Sequence, residues 1–325
     1  MALPASGEIS TSDINTELGR TASLEFKFSQ AVVGSYGTIN TSSPSYPDSV
    51  VPHRMSEWFS YDHSYVGYSN SHYYLNDTLG DCLVMGATTS PFNLSGTQDL
   101  TISMWVRQDQ TTAANQILWD LQNAAGATSA STANRFFLQY SASLNRFVVR
   151  HRTNSVNYDR QFALHDNNSA TGTGTSSSNT WTASNRGNVN ADGWCLLTVV
   201  YDASQSDATN GLKLYWNATE LTSEAASSDG SRSTSAVNYI ALGNNAHNYS
   251  TTAGAFDGAF DEVKIYTAAL SAGNVSTIYN SGVIVDAANS TDTNLRTEFT
   301  FDVNQSDSNG DFPTTVNNDG TRTAW

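Results

Sequence analysis

The chain has 325 residues, 38% hydrophobic and 14% charged, with a formal net charge of −15. That length is enough for one large domain or two modest ones, each with a real core. An acidic chain with only three lysines repels phosphate backbones, which excludes DNA and RNA as partners.

The opening run MALPASGEIS has neither the basic nor the apolar stretch of a secretory signal. No apolar run approaches the roughly 18 residues that span a bilayer, so membrane insertion is not expected. Residues 1–63 read as a small α+β module. Ser12 is expected to N-cap a helix that carries Ile14 and Leu18 on one apolar face and stops near Gly19. SLEFKFS alternates Leu24, Phe26 and Phe28 and predicts a strand. A Ser/Pro/Tyr loop then leads to HRMSEWFSYDH, short, aromatic and expected to be helical.

From about residue 78 the pattern is all-β. GDCLVMG reads as a strand. LTISMWVRQ sets Leu100, Ile102, Met104 and Val106 against Thr101, Ser103, Trp105 and Arg107. QILWDLQ, RFFLQYS and RFVVRHR follow, the last two joined by a turn around Ser143 to Asn145. WCLLTVVYD is apolar on both faces and predicts a central strand. GLKLYWN and ELTS form a hairpin around Asn217 and Ala218, and YIALG and FDEVKIYT complete the set. Many strands joined by turn chemistry argue for an antiparallel β-sandwich. LSAGNVSTIYNSG is the strong helix signal of this region, ended by Gly282. The polar segment 166–192 is too long for an idle turn, and Trp181 stands alone in it. RTEFTFDVN predicts a strand in the tail, before the turn-rich run DSNGDFPTTVNNDGT.

Cys82 and Cys195 fall in apolar strands and read as buried free thiols, with a disulfide between them left open. Asp261 and Glu262 interrupt the apolar strand FDGAFDEVKIYT. Simple alternation puts Asp261 inside the sandwich with Val263 and Ile265. An unpaired carboxylate there would cost several kcal/mol, on the order of a buried charge. Asp261 must therefore meet backbone N–H groups, a cation or a rim position. Glu262 is expected on the outer face, in solvent.

The run FDGAFDEVKIYTAALSAGNVSTIYNSG resembles the closing motif of laminin G-like, concanavalin A-like jelly rolls. GDCLVMG, DLTISMWVR, GWCLLTVVYDAS and GLKLYWNATEL resemble the successive strands of that family in the same order. The resemblance implies two antiparallel sheets face to face over about residues 64–285, with residues 286–325 as a strand and turn-rich extension. It also implies a structural Ca²⁺, held by Asp261 with Asp81 as partner.

The N-terminal MALPASGEISTSDINTELGR, closing in PHRMSEWFSYDH, resembles the N-terminal module of tailed-bacteriophage virion proteins, particularly of marine phages. This resemblance implies that residues 1–63 dock on other virion proteins. It implies assembly in the host cytoplasm and release by lysis, so a virion location without a signal peptide. A symmetric homo-oligomer is expected, with a trimer as the natural order for an all-β appendage.

The same sandwich carries glycoside hydrolases, which need two carboxylates about 5–10 Å apart. No Glu-x-Asp-x-Glu run exists here, nor a His-Glu-x-x-His or Gly-x-Ser-x-Gly motif, so no catalytic residue is assigned and a depolymerase is the weakest reading. Sugar binding needs exposed aromatics and polar side chains. Trp181, His247 and Tyr249, all on predicted loops, are the candidates for a host-surface glycan. Trp119 and Trp216 fall in strands and read as core. The reading is thus a virion appendage whose jelly roll serves adhesion, with purely structural subunit contact as the alternative.

Overall fold

The computed structural model describes residues 3, 9–36, 39, 47, 54–59, 61, 71–75, 82–87, 91–94, 98–109, 115–123, 134–141, 144, 146–153, 156–163, 193–221, 223–229, 235–245, 254–282, 284, 294–301, 311–312, 314–318 and 321–324. Two compact units result. One is Met1–Tyr68 with Val285–Ala287, the other Ser69–Ile284 with Ala288–Trp325.

In the first unit, α1 spans Thr11–Glu17 and buries Ile14, and Leu18 at its C-cap is buried too. Its cap is Ser10, two residues ahead of Ser12. The Ser10 hydroxyl accepts from the Asp13 N–H, and the Asp13 carboxylate accepts the Ser10 N–H at 2.7 Å. That reciprocal pair satisfies two orphan amides at once, which Ser12 could not do. Over SLEFKFS no strand forms. Residues 21–27 are irregular and a one-turn helix, α2, covers Phe28–Ala31. Three alternating residues make no sheet without a partner, and no strand lies among the described residues of this unit. The aromatics pack instead: Phe26 meets Phe28 and Trp58 edge-on, with centroids 5.1 and 5.9 Å away. A 3₁₀ turn at Met55–Trp58 delivers Trp58, fully buried with Tyr61, Ile14 and Val32.

The second unit contains β1 (Ser71–Leu75), β2 (Leu83–Gly86), β3 (Phe92–Leu94), β4 (Leu100–Gln108), β5 (Gln116–Gln122), β6 (Arg135–Ser141), β7 (Arg146–Thr153), β8 (Val156–Ala163), β9 (Cys195–Tyr201), β10 (Leu212–Trp216), β11 (Thr219–Glu220), β12 (Ser223–Asp229), β13 (Ser235–Val237), β14 (Tyr239–Leu242), β15 (Gly258–Tyr266), β16 (Leu295–Phe299), β17 (Thr314–Asn318) and β18 (Thr321–Ala324). A helical turn, α3 (Ala208–Gly211), precedes β10, and α4 (Ala272–Tyr279) follows β15.

The first sheet runs β11-β10-β9-β4-β15-β1-β18, with β16 also on β15; the second runs β12-β8-β7-β6-β5-β14-β2-β17. Both are antiparallel and pack face to face, the sandwich that the strand pattern predicts. Leu100, Ile102, Met104 and Val106 face the shared core with Phe136, Leu138 and Tyr140 of the second sheet, as their alternation requires. Trp119 and Trp216 join that core. Cys195 is also in it, Cys82 lies in a separate small cluster with Val84 and Ala241, and both are free thiols. The tail gives each sheet an edge strand, β17 to the second and β18 to the first.

The outer face of the first sheet is covered. The α4 residues Ile278 and Tyr279 pack with Trp105, Trp194 and Leu196, and Tyr279 stacks on Trp105 at 5.9 Å. Asn280 ends α4 in the left-handed region at φ 46°, before the predicted stop at Gly282. No helix among the described residues is long and apolar enough to cross a membrane.

β15 starts at Gly258, where the close approach of β4 leaves no room for a side chain. A Cβ at Gly258 would lie 2.0 Å from the Arg107 carbonyl oxygen, and φ is +153°. Gly258→Ala is expected to lower the unfolding free energy by about 2–3 kcal/mol, as overpacking against unyielding backbone does. The midpoint of urea denaturation, with an unchanged slope, is the measurement.

Candidate functional site

The outer face of the second sheet is built by the β6–β7 hairpin. RFFLQYS and RFVVRHRT each send alternate residues inward: Phe136, Leu138 and Tyr140 from one, Phe147, Val149 and His151 from the other. The turn pairs Ser141 with Arg146, which fixes the rest of the register. Outward side chains then fall into rows across the strands. One row is Asp120, Phe137, Arg150 and Asp159 from β5, β6, β7 and β8. The next is Tyr239, Gln122, Arg135 and Arg152 from β14, β5, β6 and β7.

Two of the three arginines in these rows have carboxylate partners. Arg135 forks onto Asp120, Nε to Oδ1 at 3.1 Å and Nη2 to Oδ2 at 2.9 Å, and reaches Asn245 Oδ1 at 2.6 Å. Gln122 Nε2 donates to the same Asp120 carboxylate. Arg150 binds Asp159, with Nη2 to Oδ2 at 2.6 Å. Both guanidinium groups also meet the Phe137 ring, Arg135 at 4.1 Å from its centroid and Arg150 at 5.9 Å. Asp120 and Asp159 are fully buried, whereas Arg150, Arg152, Arg146, Gln139, Gln161 and Tyr239 are part-exposed. The face therefore presents part-exposed donors and the Tyr239 ring, over a floor of buried Arg135, Gln122 and Phe137 and the two matched carboxylates.

The first sheet holds the other concentration of charge. β15 pairs Asp261 with Trp105 but Lys264 with Ser103, so Glu262 and Val263 share the place opposite Met104. This is a β-bulge, with Glu262 at φ 46°. The extra residue shifts the phase of the strand. Val263 and Ile265 face the core, but Asp261 takes the face of Trp105, the outer one. Asp261 Oδ1 accepts the Glu262 N–H at 2.9 Å. Glu262, expected in solvent, is buried: Lys264 Nζ lies 2.7 Å from it and 3.2 Å from Glu298 of β16. Burial works against the Lys264 ammonium, but the two carboxylates outweigh it and hold its pKa above the usual lysine range. Stability from this charge is thus fully present below about pH 10.5 and lost only in stronger alkali.

A family model described as the Concanavalin A-like lectin/glucanases superfamily matches residues 85–276, more than half of the chain. The chain belongs to this family. Solved structures similar to it include a candidate carbohydrate binding protein from Bacteroides ovatus, at 12% identity and TM-score 0.47, covering 79% of this chain and 60% of that one. The native heptameric SAP-like pentraxin of Limulus polyphemus matches at 10% identity and TM-score 0.48, covering 79% of this chain and 95% of that one. The Ruminococcus gnavus IT-sialidase CBM40 matches at 15% identity and TM-score 0.37, covering 60% and 94%. No curated protein matches the chain.

Within this lectin/glucanase-type jelly roll, the loop candidates Trp181, His247 and Tyr249 lie outside the described residues, as does Asp81. The Ca²⁺ expectation therefore rests on Asp261 alone. The Asp261 carboxylate sits on the outer face of the first sheet, away from the sheet that carries β2, and one oxygen already holds an amide. Among the described residues no group of three or more His, Cys, Asp or Glu gathers to hold a metal. The arginine rows escaped the sequence reading, although the signal was present. The Ser143–Asn145 turn, once its register is counted out, puts Arg135 opposite Arg152 and Phe137 opposite Arg150.

Replacing Lys264 tests the buried ion cluster. Lys264→Met removes the cation that two buried carboxylates share, and is expected to destabilise the chain by about 3–5 kcal/mol. Chemical denaturation at neutral pH measures it. A loss below about 1 kcal/mol would place the cluster in solvent-like surroundings.

Proposed function

We propose that the chain is a non-catalytic glycan-binding protein, displayed on a tailed-phage particle through its N-terminal unit. The observation that carries the binding reading is the outer face of the second sheet, where the part-exposed donors Arg150 and Arg152 stand above buried partners and Tyr239 lies at one end of a row. Sugars are recognised by such surfaces. Planar donors take ring hydroxyls, and a tyrosine offers an apolar ring with a polar tip. Membership of the lectin/glucanase superfamily supports this class of ligand.

The same face argues against hydrolysis. Its two row carboxylates, Asp120 and Asp159, are each engaged by an arginine. They also stand three strand spacings apart, about 14 Å, beyond the 6.5–9.5 Å or so of an inverting pair. Glu262 and Glu298 are closer together but buried around Lys264.

The virion half of the reading rests on the resemblance carried by residues 1–63, and a separate compact unit over Met1–Tyr68 is consistent with a docking module. Display in many copies would let individually weak sites act together, and a symmetric oligomer, a trimer first, would serve that end.

The test is adsorption of particles that carry this chain, with and without an excess of the purified chain, on host cells and on beads bearing host-surface polysaccharide. Competition and bead binding are expected, weakened about tenfold by Tyr239→Ala, with no reducing ends released. Folded chain that neither competes nor binds would overturn the adhesion reading and favour subunit contact. Released reducing ends would overturn the non-catalytic one.

A further inference from the structure

We propose, resting on the glycan reading above, that the sugar bound by this face carries a carboxylate or sulfate, and that Arg152 is its anchor. The two rows hold three arginines, Arg135, Arg150 and Arg152, against two carboxylates, Asp120 and Asp159, one positive charge more than the described residues of the rows neutralise. Four of the chain's twelve arginines, Arg135, Arg146, Arg150 and Arg152, point outward from just two adjacent strands of a chain whose net charge is −15. Asp120 takes Arg135 and Asp159 takes Arg150. Arg146 donates to the neutral Gln161 at 3.2 Å. Arg152 has neither an ion pair nor a hydrogen bond among the described residues, and its Nε is buried without an acceptor.

Its position makes this isolation unfavourable. Arg152 stands directly opposite Arg135 across the β6–β7 pair, a placement where like charges repel. Arg150 lies two residues away on the same face of β7. Burial, then Arg150 and Arg135, push the Arg152 pKa below the usual arginine value, yet a guanidinium keeps its proton throughout the working range. The charge is therefore held, part-buried, where the described residues give it nothing to bind. An incoming oxyanion removes the repulsion and fills the empty donors in one step. Guanidinium geometry favours an acceptor that sets two oxygens in the plane of the fork, which planar carboxylate and tetrahedral sulfate both can do.

The row supplies a second end for a sugar site. Between Arg152 on β7 and Tyr239 on β14 lie Arg135 on β6 and Gln122 on β5, both buried, so the two part-exposed ends are what a ligand meets. Arg152 and Tyr239 are thus three strand spacings apart, about 14 Å, a span that suits a short oligosaccharide with its acid group at one end and a ring face at the other. Arg152 and Tyr239 are both part-exposed, so solvent reaches each end of the row.

Affinity electrophoresis of the intact chain in about 0.15 M salt, where long-range charge is screened, tests the assignment. The probes are polygalacturonate for carboxylate, heparin for sulfate and dextran as the neutral polymer. At least one acidic polymer is expected to retard the chain at concentrations tenfold or more below dextran, and which one does so identifies the acid group. Arg152→Gln is expected to lower that affinity at least tenfold while melting no lower than the parent, because it relieves a like-charge contact. Arg152→Lys, which keeps the charge but loses the fork, should fall between. Lys213→Gln, an exposed lysine on the other sheet, removes the same unit of charge and should change nothing. Equal retardation by dextran would overturn the acidic-sugar inference and leave the glycan reading standing. Retention of acidic-polymer binding by both Arg152 variants would overturn Arg152 as the anchor. A folded chain that binds none of the three polymers would overturn the inference together with the glycan reading on which it rests.

Discussion

β15 is paired along both edges, by β4 on one side and by β1 and then β16 on the other. Its first residues, Gly258 to Phe260, lie against β1, and Val263 to Tyr266 lie against β16. Asp261 and Glu262 fall where the edge partner changes. A straight strand would send one of every two residues there into the core, and a carboxylate would follow. The bulge absorbs one residue, so that Phe260 and Val263 can both face inward. The left-handed turn at Glu262 is the local strain that makes this possible, on the order of 1 kcal/mol or more for a residue other than glycine. Two interactions hold it: the Asp261 carboxylate on the Glu262 N–H, and Lys264 between Glu262 and Glu298. Because Glu298 comes from β16, the same ion cluster fastens a tail strand to the centre of the sheet.

The two sheets use their outer faces in opposite ways. On the first, α4 and the segment after β15 cover Trp105, Trp194, Tyr215 and Tyr266, and several buried polar groups find local partners. Thr101, for example, donates to the Ala268 carbonyl and accepts from the Leu270 N–H. That face is spent on stability. On the second, the arginine rows leave donors open to solvent and set like charges against each other. Sequences selected for folding alone avoid that arrangement. Where local rules are broken without a compensating partner among the described residues, a ligand is the economical physical explanation.

Strand existence was legible because inward positions alternate strictly in LTISMWVRQ, RFFLQYS and RFVVRHR, and a short polar run separates the last two. Three kinds of feature were not. Phase slips are invisible to a period-two reading, which is why Asp261 was expected inside and Glu262 outside. Caps compete within a few residues, and the reciprocal Ser10–Asp13 pair outweighs a single hydroxyl at Ser12. Edge strands carry little pattern of their own: β17 and β18 are rich in Thr and Asn, and only their pairing with β2 and β1 makes them strands. The arginine rows stand between these cases. Each strand was readable alone, but a row is a property of register, and register needs the turn to be counted.

The sign of the site and the sign of the whole chain oppose each other, and distance decides which of them a ligand senses. A net charge of −15 spread over 325 residues repels an anion from afar. At physiological ionic strength that field decays over about 8 Å, so a sugar acid close to the face meets chiefly the nearest groups. Those are Arg152, with no acid of its own among the described residues, and Arg135 and Arg150, whose charges are already matched by Asp120 and Asp159. Matching two arginines with buried carboxylates fixes their side chains in place, so little ordering remains when a ligand arrives. Leaving the third unmatched makes the face selective for charge as well as shape. The acidic remainder of the surface then opposes loose, non-specific attachment of polyanions anywhere else on the molecule.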